Sequence, residues 1–428
     1  MKVAFFTLGC KVNTYETEAV LSDFKNKGYD IVSFEETADI YVINTCSVTN
    51  ASDVKSRKII RQASKRNAEA VIVVMGCYSQ LKESEVAEIE GVDIIVGTNN
   101  KMEITKLVEE FLKHKKQLKT VNTDTIKTFE DMELNNFENK TRAFVKIQDG
   151  CDNYCSYCII PYARGNVRSK PKEKVISEVE ALVANGYVEV VLTGIHTGSY
   201  GKDIKGYTLA NLLEELVTID NLKRIRISSI EITELTDDML GVLQKYDKIA
   251  NHLHIPLQSG SDKILKLMNR KYNKEFFELK IEEIKTIRPD IAITTDVIAG
   301  FPGETLDDFN ETLDFIEKIS FSGIHAFPYS KRDKTKAASM PNQIDGKIKK
   351  ERVEKLTELS KKLEIKYINK FLREVVDFIP EKKEDGYLTG HSSNYLKLKL
   401  KTNENLIGKY INVKVEKVDY PYCIVTKF

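Results

Sequence analysis

The sequence predicts an α/β chain in three parts: an N-terminal open parallel α/β domain, a central partial (βα)6 barrel, and a small C-terminal antiparallel β domain. Three observations predict it. Apolar runs alternate with amphipathic stretches through the first third, the alternation resumes for six βα units between Ala143 and Phe327, and beyond Arg373 short period-2 runs replace every helical pattern. A length of 428 residues agrees with this, at about 100–200 residues per domain.

In the first part, Lys2–Leu8, Ile40–Asn44, Ala70–Met75 and Asp93–Val96 read as strands. Helical patterns separate them, which implies a parallel sheet. The polar stretch His114–Lys140 has little periodicity and reads as a linker, giving boundaries of 1–136, 137–370 and 371–428. In the second part, Ala143–Ile147, Val188–Leu192, Arg224–Ser228, His252–Ile255, Ala292–Ile298 and Gly323–Phe327 supply the six strands of a full or partial barrel. A long helix from about Asp345 to Lys370 follows. The runs Tyr395–Leu400, Tyr410–Val418 and Cys423–Thr426, separated by Gly, Asn and Asp, then suggest a five-stranded barrel.

Composition narrows the class. With 42% hydrophobic and 30% charged residues the chain can bury a sizeable core, which excludes a largely disordered protein. No apolar run approaches the ~18 residues needed to cross a bilayer, so no membrane partner is expected. Val3–Gly9 before Cys10 superficially resembles a lipoprotein signal, yet it sits at the bottom of the ~7–15-residue range and reads equally as a first strand. Charge is nearly balanced, 65 Lys and Arg against 64 Asp and Glu, so no global field announces a nucleic acid. Locally, Lys331–Arg373 holds 14 basic and 6 acidic residues, and Lys55–Arg66 six basic residues and no acid. Either run can be a solvated helix face or a contact surface. The seven cysteines, an odd number without a signal sequence, favour reduced thiols and a cytoplasmic location over a disulfide framework.

The cysteines carry the chemistry. Cys151, Cys155 and Cys158 are spaced by four and three residues just after the first barrel strand, where barrel enzymes keep their active sites. Zinc would want four ligands, or three plus water, and no fourth Cys or His lies nearby in sequence. An iron–sulfur cluster on three thiolates would leave one iron open for a small chelating ligand. Cys10, Cys46 and Cys77 lie 36 and 31 residues apart, each immediately past a predicted strand. Matching positions in successive βα units lie side by side at the carboxyl edge of an open sheet, so these three can converge, although any one of them could be a buried core cysteine. Cys423, alone before Ile424 and Val425, reads as core packing.

The C-x3-C-x2-C motif at the head of a βα barrel resembles the radical S-adenosylmethionine (SAM) enzymes. Taken with Leu8-Gly9-Cys10-Lys11-Val12-Asn13, Asn44-Thr45-Cys46 and Gly76-Cys77-Tyr78-Ser79-Gln80, the chain resembles the methylthiotransferases of that class. Cys151 to Gly165, His254 to Gly260 and Asp296 to Glu304 resemble their catalytic barrel, and the last 58 residues their nucleic-acid-binding β domain, called TRAM. Lys11 to Glu16, Cys77-Tyr78 and Pro161 to Gly165 are most similar to the branch that acts on N6-threonylcarbamoyladenosine beside the tRNA anticodon. The resemblance implies two 4Fe-4S clusters, one on Cys151, Cys155 and Cys158 that binds SAM, and one on Cys10, Cys46 and Cys77 whose open iron carries the sulfur or methylthio group. It implies tRNA, through its anticodon stem-loop, as partner, together with an electron donor and a sulfur source. Near Asp333, Lys334 and Lys336 the chain departs from relatives that commonly have Pro or Gly.

Further barrel residues carry two readings each. Thr193-Gly194, Gly198 and Tyr200-Gly201 stand where the superfamily contacts the amino group of SAM, and glycines there are also ordinary turns. Arg226, Ser228 and Ser229 end a strand, and so polar a set suits the ribose or carboxylate of SAM better than a dry core. His254 and Gln258 bracket a strand end as SAM or substrate contacts. Gly300 to Glu304 resembles an adenine-binding stretch or a tight βα connection. Arg164 can meet the carboxylate of a threonylcarbamoyl group or pair with an acid of the barrel. Two other enzymatic readings keep the chemistry and change the substrate, to an isopentenylated adenosine or an aspartate of a ribosomal protein. A non-enzymatic metal- and RNA-binding module has no use for two separate cysteine triads.

Overall fold

The computed structural model describes residues 1–121, 128–137 and 141–428. The N-terminal sheet has six parallel strands: β1 (Lys2–Thr7), β2 (Asp30–Val32), β3 (Ile40–Thr45), β4 (Val71–Gly76), β5 (Ile94–Val96) and β6 (Leu118–Thr120). Their order is β2-β1-β3-β4-β5-β6. β3 and β4 are buried at every position, as central strands covered by helices on both faces must be, which is why they read as unbroken apolar runs. Successive residues feed two cores. Ile43, Ile72 and Val74 pack on one side, and Val42, Val71, Val73 and Met75 on the other.

β2 and β6 were not expected. Each is a three-residue edge strand, too short to show a period, defined by its neighbour's hydrogen bonds rather than by its own apolar content. β6 also corrects the linker reading of 114–140. Met132, Leu134 and Phe137 in that stretch are buried, and the Tyr15 hydroxyl donates to the Met132 carbonyl at 2.8 Å. Positions 122–127 and 138–140 of the stretch lie outside the described residues.

The chain forms two units, each discontinuous in sequence. The first comprises Met1–Glu138, Lys146–Lys174 and Ser330–Ala338. Into it runs the far end of β7 (Ala143–Asp149), which pairs antiparallel with the two-residue β8 (Arg168–Ser169). Ser330–Ala338 is held there through its own side chains and backbone. The Ser330 hydroxyl accepts from the Asn50 amide at 3.2 Å, and buried Arg332 donates to Asp53 at 2.8 Å and to Ser47 at 2.7 Å. The Ala337 amide donates to the Ser156 carbonyl at 2.7 Å. Within it Lys334 sits at a left-handed φ of 69°, so the departure from Pro or Gly costs backbone strain of about 1 kcal/mol.

The second unit comprises 139–145, Val175–Tyr329 and Ser339–Phe428. It contains the start of β7 together with β9 (Glu189–Gly194), β10 (Arg224–Ile227), β11 (His252–His254), β12 (Ala292–Ala299) and β13 (Gly323–Pro328), the six strands the sequence predicts. They run in the orders β10-β9-β7 and β11-β12-β13, and single bridges at Ile225–Ile249 and Ser229–His254 connect the two groups into a partial barrel. β12 alternates, with Ile293, Thr295, Val297 and Ala299 buried against helices and Thr294, Asp296 and Ile298 half-buried on the other face.

The expected long helix spans Gly346–Asn369 and is capped by Asp345, which accepts from the Lys347 amide. β14 (Val375–Glu384), β15 (Tyr387–His391), β16 (Lys397–Lys401), β17 (Ile411–Asp419) and β18 (Tyr422–Lys427) follow as a closed barrel in the order β14-β15-β16-β18-β17. The antiparallel ring closes through one parallel pair, β16 with β18, because a ring of five strands cannot alternate direction all the way round. Leu398, Leu400, Val413, Val415, Cys423 and Val425 fill it, so Cys423 is core packing, as expected, with its thiol pushed up to about 11 by burial. No helix among the described residues is long and apolar enough to cross a membrane.

Candidate functional site

The first unit gathers both cysteine triads. β1, β3 and β4 are neighbours in the sheet, and Cys10, Cys46 and Cys77 each follow one of them, so the sheet order alone brings them to one edge. Two glycines permit the approach. Gly9 has φ +104°, and a Cβ there would lie 2.9 Å from the Cβ and 3.1 Å from the Sγ of Cys46. Gly76, also at +104°, would clash with the Asn44 side chain and the Thr45 carbonyl. Asn13 braces the edge, its amide donating to the Leu8 carbonyl at 2.7 Å and the Thr45 carbonyl at 3.1 Å. The thiols of Cys46 and Cys77 are raised by burial, and the Arg164 guanidinium pulls Cys77 back down. Three free thiols at one edge with a cation beside them are a soft-metal donor set.

Cys151, Cys155 and Cys158 occupy the loop between β7 and a short helix, Ile160–Arg164, and all three are half-buried. The loop is pinned at both ends. The Cys151 amide donates to the Gly165 carbonyl at 3.0 Å and the Cys158 amide to the Cys155 carbonyl at 3.0 Å. Gly150, at φ +75°, has no room for a side chain, since a Cβ would lie 1.9 Å from the Asn166 carbonyl oxygen. No disulfide pairs any of the seven cysteines.

A buried charge network lies with the two triads in this unit. Arg164, fully buried, donates to Glu16 at 2.8 Å and to Asp149 at 3.1 Å. Lys146 reaches the same two acids at 2.7 Å each, and Lys101 reaches Glu16 at 3.4 Å. Burial alone would raise the carboxyls of Glu16 and Asp149, but Arg164 and the lysines outweigh it and hold both far below the usual carboxylate range. Of the two readings of Arg164, the structure therefore supports the acid pair. Its side chain is sealed from solvent and not available to a substrate carboxylate.

The second unit holds the other expected residues. Gly194 ends β9, and the Thr193 and Ser228 hydroxyls meet at 3.1 Å, while Ser229 is exposed at the end of β10. Arg226 corrects the expectation made for it. Its three nitrogens donate to Glu189 at 3.0 Å and to the Ser392 and Ser393 carbonyls at 3.1 Å each, so it serves the joint with the β module rather than a SAM carboxylate. It shares β10's face with Arg224, which pairs with Glu189 and Asp377. Gln258, at φ +66°, exchanges backbone hydrogen bonds with β12, its amide donating to the Asp296 carbonyl and its carbonyl accepting from Ile298. The Gly300 amide donates to Glu304 at 2.7 Å, and Glu304 pairs with Arg352, which makes this stretch a braced βα turn.

Sequence reasoning marked His254 but missed the polar group it belongs to. His254 approaches Asp296 at 3.3 Å through Nε2 while its Nδ1 meets the Thr294 hydroxyl at 3.0 Å, and His325 approaches Asp296 at 3.4 Å. Burial would raise the Asp296 carboxyl, but the two imidazoles bring it down to about 2. The available signal was the period-2 polar set Thr294 and Asp296 inside an otherwise apolar strand. Lys101, Lys146 and Asp149 were unmarked, and Glu16 was read only as part of the Lys11 to Glu16 resemblance.

A three-cysteine loop behind the first strand of a partial (βα)6 barrel defines a class of enzyme, the radical SAM proteins, which bind a 4Fe-4S cluster and SAM. Residues 145–316 match the Radical SAM superfamily, and residues 2–97 match the Uncharacterized protein family UPF0004. Threonylcarbamoyladenosine tRNA methylthiotransferase MtaB of Bacillus subtilis is 48% identical over 98% of this chain and 95% of its own, and that of Aquifex aeolicus is 41% identical over 97% of each. A tRNA-2-methylthio-N(6)-dimethylallyladenosine synthase of Thermoanaerobacter is 36% identical over 96% of this chain and 89% of its own. The chain belongs to the radical SAM tRNA methylthiotransferase family. Among solved structures, the radical SAM methyltransferase TsrM of Kitasatospora setae superposes with a TM-score of 0.57 at 13% identity, covering 79% of this chain and 74% of its own, which is a likeness of fold.

Proposed function

We propose that this protein methylthiolates carbon 2 of N6-threonylcarbamoyladenosine in the anticodon stem-loop of tRNA. The observation that carries the reading is full-length similarity, higher to threonylcarbamoyladenosine enzymes at 48% and 41% than to the dimethylallyladenosine synthase at 36%. Cys151, Cys155 and Cys158 hold the cluster that binds SAM. Cys10, Cys46 and Cys77 hold a second 4Fe-4S cluster, fed by a sulfur source and an electron donor. When bound, the two clusters and SAM supply a carbon-centred radical and the methylthio group. The chain's own residues shape the site. Gly150 lets the loop turn into its ligating form, Gly9 lets Cys10 and Cys46 close on one another, and Asn13 fixes that edge. Gly194, Ser228, Ser229, His254, Gln258 and Gly300 stand at the carboxyl ends of the barrel strands, where SAM contacts belong. The TRAM-like barrel presents Lys397, Lys399 and Lys401 outward from β16 while Leu398 and Leu400 face in, a surface suited to phosphates. A tRNA substrate also fits a cytoplasmic enzyme.

Three results test this. Anaerobically reconstituted protein should hold about eight irons per chain, four per cluster. Cys155→Ala should abolish reductive SAM cleavage, whereas Cys46→Ala should abolish methylthio transfer and leave SAM cleavage. In a host lacking both methylthio modifications, mass spectrometry of digested tRNA should recover only the threonylcarbamoyl product. Recovery of the isopentenyl product instead would assign the wrong branch.

A further inference from the structure

We propose that Arg164 is a positioning residue that couples the two cysteine triads and sets the reduction potential of the centre on Cys10, Cys46 and Cys77. The inference rests on the two-cluster reading above. Its starting point is where the arginine stands. It closes the helix that follows the Cys151, Cys155 and Cys158 loop, and it reaches into the other triad's edge, with Nη2 donating to Asn13 at 2.9 Å and Glu16 at 3.2 Å. Asn13 is the residue that braces Cys10 and Cys46, and the Cys10 thiol lies 3.8 Å from the Asn13 oxygen that Arg164 also holds. The guanidinium charge also acts on the Cys77 thiol, drawing it down against the effect of burial.

Two further features bear on the neighbouring triad. Arg164 Nε is buried and has no hydrogen-bond partner, an N–H left over in a site where the other nitrogens are fully used. An unpaired buried donor is costly, and an anionic sulfur centre beside it would accept it. The network is also out of balance. Among the described residues Arg164, Lys146, Lys101 and Arg168 face Glu16, Asp149 and Glu130, four cations against three carboxylates. A buried excess of positive charge calls for an anion, and a cluster on three thiolates is one. A fixed positive charge and an N–H donor at such a centre favour its reduced, more negative state and so raise its potential.

The test uses the full-length chain carrying Cys151→Ala, Cys155→Ala and Cys158→Ala, so that only the N-terminal centre is loaded, with potentiometric titration followed by electron paramagnetic resonance. Arg164→Met should leave about four irons per chain. It should lower the reduced-to-oxidised ratio at fixed potential about tenfold, equivalent to about 59 mV for a one-electron couple. Arg164→Lys, which keeps the charge and loses the planar fork, should fall between. A change of less than about twofold in Arg164→Met with iron retained would overturn the proposal and leave a structural ion pair. If Arg164→Met does not fold, Glu16→Gln/Arg164→Met removes one charge of each sign and is compared with Glu16→Gln alone. The same tenfold difference is expected, and its absence refutes the coupling. Absence of iron from the triple-alanine protein would instead sink the two-cluster reading, and this inference with it.

Discussion

Replacing Glu16 with Gln is the sharpest probe of the buried network. The carboxylate is fully buried and faces Lys146 at 2.7 Å, Arg164 at 2.8 Å and Lys101 at 3.4 Å. At an effective dielectric constant of about 20, each contact is worth roughly 5–6 kcal/mol before desolvation. Most of that offsets the cost of burying the ions. What remains when one partner is removed and the others stay charged is about 3–5 kcal/mol. In a unit of this size each kcal/mol lowers Tm by roughly 2–4 °C, so Glu16→Gln should lose about 6–20 °C. The sign of the pH dependence follows from the depressed carboxyl. Its contribution is fully present above the unfolded pKa of about 4.3 and is lost as pH falls towards the lower folded value. The gap between wild type and variant should therefore be constant from pH 8 to about 5 and shrink in acid below about 4.3. The chain has no tryptophan, so urea unfolding of the metal-free protein is best followed by circular dichroism. A difference under about 1 kcal/mol at pH 7, or one that persists undiminished in acid, would refute the reasoning.

Three other outcomes follow from single contacts. Gly150→Ala puts a Cβ 1.9 Å from a carbonyl oxygen at φ +75°, so reconstituted iron should fall by half, to about four per chain; full iron content would show that the loop adapts. Cys423→Ser buries a hydroxyl among Leu398, Val413 and Val425 and should destabilise the β barrel by about 1–3 kcal/mol in thermal unfolding, with unchanged iron content. Lys397, Lys399 and Lys401 changed together to Gln should reduce the slope of log affinity for tRNA against log salt by up to about 3, at ~0.9 per phosphate contact, and an unchanged slope would remove this face from the RNA surface. Substitution is preferable to deleting residues 373–428, because deletion would strip Arg224 and Arg226 of Asp377 and of two carbonyl acceptors inside the second unit.

The strands that could be read from sequence were those whose periodicity their own side chains determine. β3, β4 and the barrel strands other than β11 run for four to eight residues, so apolar or alternating runs marked them to within a residue or two. β2, β6 and β8 owe their existence to a neighbour's backbone, which leaves no trace in two or three residues. The cysteines were legible because spacing in a loop, or repetition at matching strand ends, encodes convergence. Arg164 and Arg226 were half-legible, marked as chemically significant while their partners stayed hidden, since Glu16 is 148 positions from Arg164 and Ser392 is 166 from Arg226. Residue type shows that a charge must be satisfied. Only the fold shows by what.

Ser330–Ala338 has a consequence for how the protein is made. It returns to the first unit after the chain has spent Val175–Tyr329 elsewhere. A ribosome adding about 5–20 residues per second needs roughly 8–30 s to travel from Lys174 to Ser330. Through that interval Asp53 waits without Arg332, the Ser156 carbonyl without the Ala337 amide, and Cys46 lies seven positions along the chain from an uncompensated acid. The first unit is thus complete only once Ala338 has been made, after the whole of Val175–Tyr329, and a nascent chain stalled before Ser330 would hold its thiols in a unit that lacks its last segment. Delivery of iron and sulfide is best timed to follow synthesis of Ala338.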